Sequence, residues 1–168
     1  MYYINCFFIY SIFGYILETV VAFLTHTNFK SGILSLWWTP VYGIGAVTIL
    51  FISNYLFKNL HMNRVYETII VFFVVAITLS VIEVLGGVLI EKTFGITFWN
   101  YSNHIYPVGK YISLEMTIIW GLSSIVFIYV IHPVLNNLIK KIPNWITTLL
   151  IIIFIYDVTK TIIVKKKS

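Results

Sequence analysis

Two glutamates, Glu83 and Glu91, stand in SVIEVLGGVLIEK (80–92), a run whose other side chains are almost all apolar. On one helix they fall on a common face. Carboxylates held away from water there could line a path for a substrate or a proton, or serve as general acid and base. Glu18 repeats the situation inside FFIYSIFGYILETV (7–20). Lys110 adds a cation that could reach Glu83 or Glu91 across a helix bundle and neutralise a buried charge, or could hold a phosphate. It stands five residues before Glu115, a poor spacing for a local helical pair, so Glu115 better suits the positive end of a helix. Trp99, Asn100, Tyr101 and Ser102, followed by Asn103 and His104, make a dense polar and aromatic cluster just before Lys110. With Tyr42 these residues form the candidate polar site: Glu18, Tyr42, Glu83, Glu91, Trp99, Asn100, Tyr101, Ser102, Lys110 and Glu115.

The elements that must position them are set by the solvent. Of the 168 residues 60% are hydrophobic and only 10% charged, and the mean hydropathy is +0.93, which excludes an ordinary water-soluble domain. A hydrocarbon layer about 30 Å thick needs roughly 20 apolar helical residues. Five segments qualify, at approximately 4–25, 40–57, 66–91, 112–134 and 145–163. The expected fold is therefore all-α: one transmembrane domain over 1–168, with five membrane helices and an aromatic, polar loop between the third and fourth. The N-terminus lacks the basic start and small-residue cleavage site of a signal peptide and reads as a retained first span.

Several function classes drop out. The chain has no Walker-type GxxxxGK[ST] and no CxxC or HExxH motif, so an energy source must come from another chain, and no cofactor is implied. His26, His61, His104 and His132 lie at span edges without ligand spacing, and Cys6 has no second cysteine, so no metal site and no catalytic nucleophile is assigned. The net charge of +5 does not point to nucleic acid, because the basic residues gather at span ends, where they anchor helices to lipid headgroups. The implied partner is the bilayer.

Small and hydroxyl residues surround the acids at helical spacing. Ser11, Gly14, Glu18, Ala22 and Thr25 form one stripe, and Ala76, Ser80, Glu83, Gly87 and Glu91 a second. Such stripes let helices approach closely, and these two should face each other or a shared partner. Charge in mid-bilayer costs on the order of 2.5–3.5 kcal/mol, so the acids should face protein or water. Glu18 and Glu83 both lie roughly 5–8 Å from the span centres at 1.5 Å per residue, displaced toward the face that carries loops 26–39 and 92–111. Each of these loops has a tryptophan, a Pro-Val pair and a glycine leading into the next span, which suggests a faint duplication of spans 1–2 in spans 3–4. With five spans, the lysines and arginines favour the side of these loops and of the C-terminus by six (Lys30, Lys92, Lys110, Lys165, Lys166, Lys167) to four (Lys58, Arg64, Lys140, Lys141), a bias toward a cytoplasmic C-terminus. Trp37, Trp38, Trp99 and Tyr101 also suit an interfacial aromatic belt, Lys92 should snorkel to the headgroups, and Asp157 and Lys160, three apart, suit a local pair that eases insertion.

Four motifs in order, FFIYSIFGYILETV, TPVYGIGA, IEVLGGVLIEKTFGITFWNYS and PVGKYISLEMTIIWG, give the chain a resemblance over roughly residues 7–143. It resembles the family of small bacterial membrane proteins described as putative ABC-transporter permeases of type IV. The resemblance implies a multi-pass protein of the bacterial plasma membrane that works with an ATP-binding subunit or as a homo-oligomer. The family's first-span acid is matched by Glu18, its Pro-(Val/Ile)-Tyr-Gly motif by Pro40, Val41, Tyr42 and Gly43, and its paired third-span acids by Glu83 and Glu91. Its Trp-(Asp/Asn)-Tyr-Ser motif is matched by Trp99, Asn100, Tyr101 and Ser102. Where the family has Gly-Arg this chain has Gly109-Lys110, which keeps the charge without the bidentate fork, and Asn100 is neutral where an acid is common. Three functions follow as expectations: a transporter or permease component with a carboxylate-lined polar site, an intramembrane lipid-handling enzyme or headgroup binder, and a non-catalytic scaffold whose acids specify helix pairing.

Overall fold

A computed structural model of the chain describes residues 1–26, 32–59 and 62–165. Lys30, His61, Lys166 and Lys167, which entered the reading of charge and ligands above, lie outside the described residues. The described residues form α1 (Tyr2–Leu24), α2 (Pro40–Asn59), α3 (Arg64–Phe94), α4 (Leu114–Val126), a π-helical turn (Phe127–Ile131), α5 (His132–Lys140) and α6 (Asn144–Lys165). Five continuous helical stretches among them are long and apolar enough to cross a membrane. The chain is an all-helical membrane protein. Large apolar side chains such as Phe23, Phe73, Leu85, Leu89 and Ile152 lie on its exposed surface, as a lipid solvent permits and water does not.

Local chemistry sets the helix ends. Pro40 starts α2, where its missing N–H is not needed. The side chain of Asn63 caps α3 by accepting from Val65 N at 3.1 Å, and that of Ser113 caps α4 from Met116 N at 3.2 Å. Gly95, at φ 68°, closes α3 in the left-handed conformation that glycine adopts without steric cost. With 31 residues, α3 is about 46 Å long, so it tilts or carries its ends into the headgroups.

The fourth span differs from the sequence expectation. Its helix continues past 134 to Lys140. Pro133 has no N–H for the carbonyl four residues back and its ring crowds that carbonyl, and the widened turn at Phe127–Ile131 absorbs the defect without breaking the helix. Tyr129 in this turn is held from α3, its hydroxyl 2.9 Å from Thr68 Oγ1 and its ring 5.1 Å from the Arg64 guanidinium.

The residues group into two compact units: Met1–Val47 with Leu135–Ser168, and Thr48–Val134. In the first unit the stripe of α1 receives the start of α2. The ring of Tyr42 lies on Gly14, and Gly43 lies against Ser11 and Phe7, so a Cβ at either glycine has no room. Asn5 Oδ1 accepts from Thr147 of α6 at 2.6 Å, and Phe8, Leu34 and Trp38 form a core with Phe154. In the second unit the stripe of α3 packs on α4: Ser80 and Thr117 share a hydrogen bond of 2.8 Å, and Gly121 lies under the ring of Phe72. Thus within each unit the stripe faces the helix that follows it.

A side chain at Gly121 would place its Cβ 2.6–3.0 Å from carbons of the Phe72 ring. Gly121→Leu is expected to destabilise the α3–α4 pair by about 1–3 kcal/mol, read as a lower thermal midpoint in detergent micelles relative to wild type. An unchanged midpoint would show that these helices do not pack through Gly121.

Candidate functional site

In the second unit the carboxylates of α3 point at α4 and at the connector 95–113. Glu83 is 6% exposed, and donors hold both of its oxygens: the Tyr101 hydroxyl at 2.6 Å and the Trp120 indole Nε1 at 2.9 Å. Eight residues on, about 12 Å along the axis, half-buried Glu91 takes the Lys110 ammonium on one oxygen and the Tyr111 hydroxyl on the other. Thr97 donates to it at 3.3 Å. Lys110 thus pairs with Glu91 and not with Glu83. The hydrogen bonds to the Glu91 carboxylate push the Lys110 ammonium above the ordinary lysine range and raise the Tyr111 phenol.

The connector is strapped from a third side. Glu115, in the first turn of α4, accepts from Ile105 N at 2.8 Å and from Tyr106 N at 3.3 Å. Within the loop, Tyr101 N donates to Lys110 O at 2.9 Å, and Asn100 Oδ1 accepts from Ser102 N at 2.9 Å. Asn100 and Ser102 therefore shape the turn, while Tyr101 between them reaches the acid. Trp99 lies with its six-membered ring 3.5 Å from where a Gly86 side chain would begin and 6.1 Å from the Tyr111 ring. Its buried indole N–H finds no acceptor among the described residues.

Glu18 and Tyr42 belong to the first unit. Glu18 is half-buried in α1, and Tyr42 packs its ring on Gly14. That unit holds a carboxylate of its own with an unexpected role. Asp157, 1% exposed, does not form the local pair with Lys160. Its oxygens accept from Ser35 N and Leu36 N, both at 3.1 Å, and from Trp38 Nε1 at 2.8 Å. The reason is desolvation: a buried carboxylate needs several converging donors, and this bend supplies three. The two loop tryptophans accordingly separate. Trp37 is 71% exposed, as a belt residue is, while Trp38 is 5% exposed and packs on Phe8 and Phe154.

The sequence reading passed over Trp120 and Tyr111, put Trp38 in the aromatic belt and paired Asp157 with Lys160. Trp120 was within reach of the stripe rule, since Ser113, Thr117, Trp120 and Ser124 repeat at steps of three and four from the N-cap into α4. Tyr111 and Trp38 carry no such signal, because their partners are 20 and 119 residues away.

Residues 5–162 match the model of the family described as putative ABC-transporter type IV, and the chain belongs to that family. No curated protein and no solved structure matches it.

Two predictions follow from this geometry. Asp157→Ala, which strands the buried Trp38 indole and two half-buried backbone donors, should cost about 3 kcal/mol of unfolding free energy in micelles, whereas Lys160→Met should be nearly silent. Equal losses in the two variants would restore the local pair. Lys110 and Tyr111, both raised in the folded protein, contribute stability that is fully present below their unfolded values, about 10 to 10.4, and lost as pH rises through the folded ones. Lys110→Met should therefore lower the thermal midpoint by a constant amount between pH 6 and 9, and the gap to wild type should close above about pH 10.4. A gap that varies across neutral pH would rule out this pair as its source.

Proposed function

We propose that this member of the putative ABC-transporter type IV family is a transmembrane transport component whose α3–α4 unit carries a polar site centred on Glu83. The observation that carries the reading is a carboxylate 6% exposed on a membrane-spanning helix, fully engaged by one donor from a loop and one from the neighbouring helix. A charge so placed costs insertion energy that an apolar side chain would not, which supports a role beyond packing.

In this reading Glu83 is the inner station of a substrate or proton path and Glu91 the outer one. The shared face of α3 runs between them past the small residue Gly87, and the loop 95–113 covers it. A group arriving at Glu83 exchanges with the Tyr101 hydroxyl, which the loop carries. The Trp99 indole N–H, buried without an acceptor among the described residues, supplies a further donor. Glu18 is a second intramembrane acid of the same kind, in the first unit. An ATP-binding subunit of a bacterial plasma membrane complex drives the cycle, and the C-terminus lies on its cytoplasmic side.

A lipid-headgroup binder built on Lys110 is less favoured, because an ammonium bound to a carboxylate has less charge to offer a phosphate. The test is twofold. Purification from the native membrane in mild detergent should retain an ATP-binding subunit in stoichiometric amount by mass spectrometry. In cells lacking the native copy, Glu83→Gln should reach wild-type membrane levels yet fail to restore the deletion phenotype. Full rescue by Glu83→Gln would leave the acid as a packing device and favour the scaffold.

A further inference from the structure

The loop between α3 and α4 changes character halfway. Ser102, Asn103 and His104 are polar and exposed, and directly after them Ile105, Tyr106 and Val108 are apolar or amphipathic with 79%, 62% and 62% of their surface exposed. Pro107 between them is exposed as well. Three large side chains turned outward at the tip of a connector are unfavourable in water.

The backbone of this tip is prepared for a different solvent. Ile105 N and Tyr106 N both donate to Glu115 Oε1, Pro107 has no N–H, and Val108 N donates to Ile112 O at 2.9 Å. Tyr106 O accepts from Leu114 N at 3.0 Å, which makes the pairing of Pro107 with Ser113 a short antiparallel bridge. Every N–H of residues 105–108 is thus satisfied inside the protein. A loop in water has no need of that, whereas backbone entering hydrocarbon requires it.

The tip is also tied to a membrane surface. Its backbone bonds run to Leu114 and Glu115, the first turn of the fourth span, and the exposed apolar face of that span begins at Leu114 and continues through Ile118 and Ile119. The tip is thus bonded to the residues where this exposed apolar face begins.

We propose that Ile105-Tyr106-Pro107-Val108 is an interfacial wedge that inserts into the bilayer at the boundary of headgroups and acyl chains, with Glu115 as the acceptor that lets its backbone leave water. The apolar side chains then lie on the acyl side of that boundary, with the Tyr106 hydroxyl at headgroup level. The loop that closes over α3 is then anchored in lipid as well as strapped to Glu83 and Glu91.

The test uses the full-length purified protein in phosphatidylcholine vesicles, with single cysteines at Val108 or Asn103 and a charged, membrane-impermeant maleimide. Cys6 is fully buried and stays as background. Both positions lie in one loop, so vesicle orientation affects them equally. Val108→Cys should label at least about tenfold more slowly than Asn103→Cys, given the free energy of burying a valine-sized side chain, and the rates should converge in denaturing detergent. Equal rates in vesicles would overturn the wedge. Protection in native membranes that disappears in vesicles would assign the tip to a protein partner and overturn it too. Adding Glu115→Ala should bring Val108→Cys labelling toward the Asn103→Cys rate, while Glu115→Gln, which keeps an acceptor, should not. Unchanged protection in Glu115→Ala would remove Glu115 from the proposal.

Discussion

The constraint on which the rest depends is the penalty for holding a carboxylate where water is scarce. Each such group needs donors that converge on it, and in this chain the donors come largely from connectors. Tyr101 reaches Glu83, Lys110 and Tyr111 reach Glu91, the backbone of Ile105 and Tyr106 reaches Glu115, and a bend with Trp38 reaches Asp157. The acids on the helices thereby fix loops that have little regular structure of their own.

That coupling gives the α3–α4 unit two kinds of strap. Glu83 sits within the span and is held by a phenol and an indole, neutral donors, with no ion pair to it among the described residues. Glu91 sits near the helix end and is held by an ammonium and a phenol, an arrangement that resists neutral pH because the charged form of Lys110 is favoured.

Packing supplies the rigidity against which the loop works. Gly87 and Gly121 admit the rings of Tyr111 and Phe72 at the interface of α3 and its neighbours. In the first unit Gly14 and Gly43 do the same for α1 and α2. In lipid there is little hydrophobic force between helices, so such close contacts and a few hydrogen bonds carry the association.

Much of this was legible in the sequence. Apolar run lengths gave five spans to within about a turn, except for the fourth, where a π-helical turn carries the helix past 134 to Lys140. The stripe of Ser80, Glu83, Gly87 and Glu91 located the acid-bearing face of α3, since helical periodicity is a local property. What only the tertiary structure decided is who answers each charge. Asp157 turned from its neighbour Lys160 to donors some 120 residues away, and Lys110 chose Glu91 over Glu83. Composition and periodicity fix the solvent and the faces of helices, because both act through near neighbours in the chain. The partner of a buried charge depends on which loop folds back over it, and that is set by packing between residues that the sequence holds far apart.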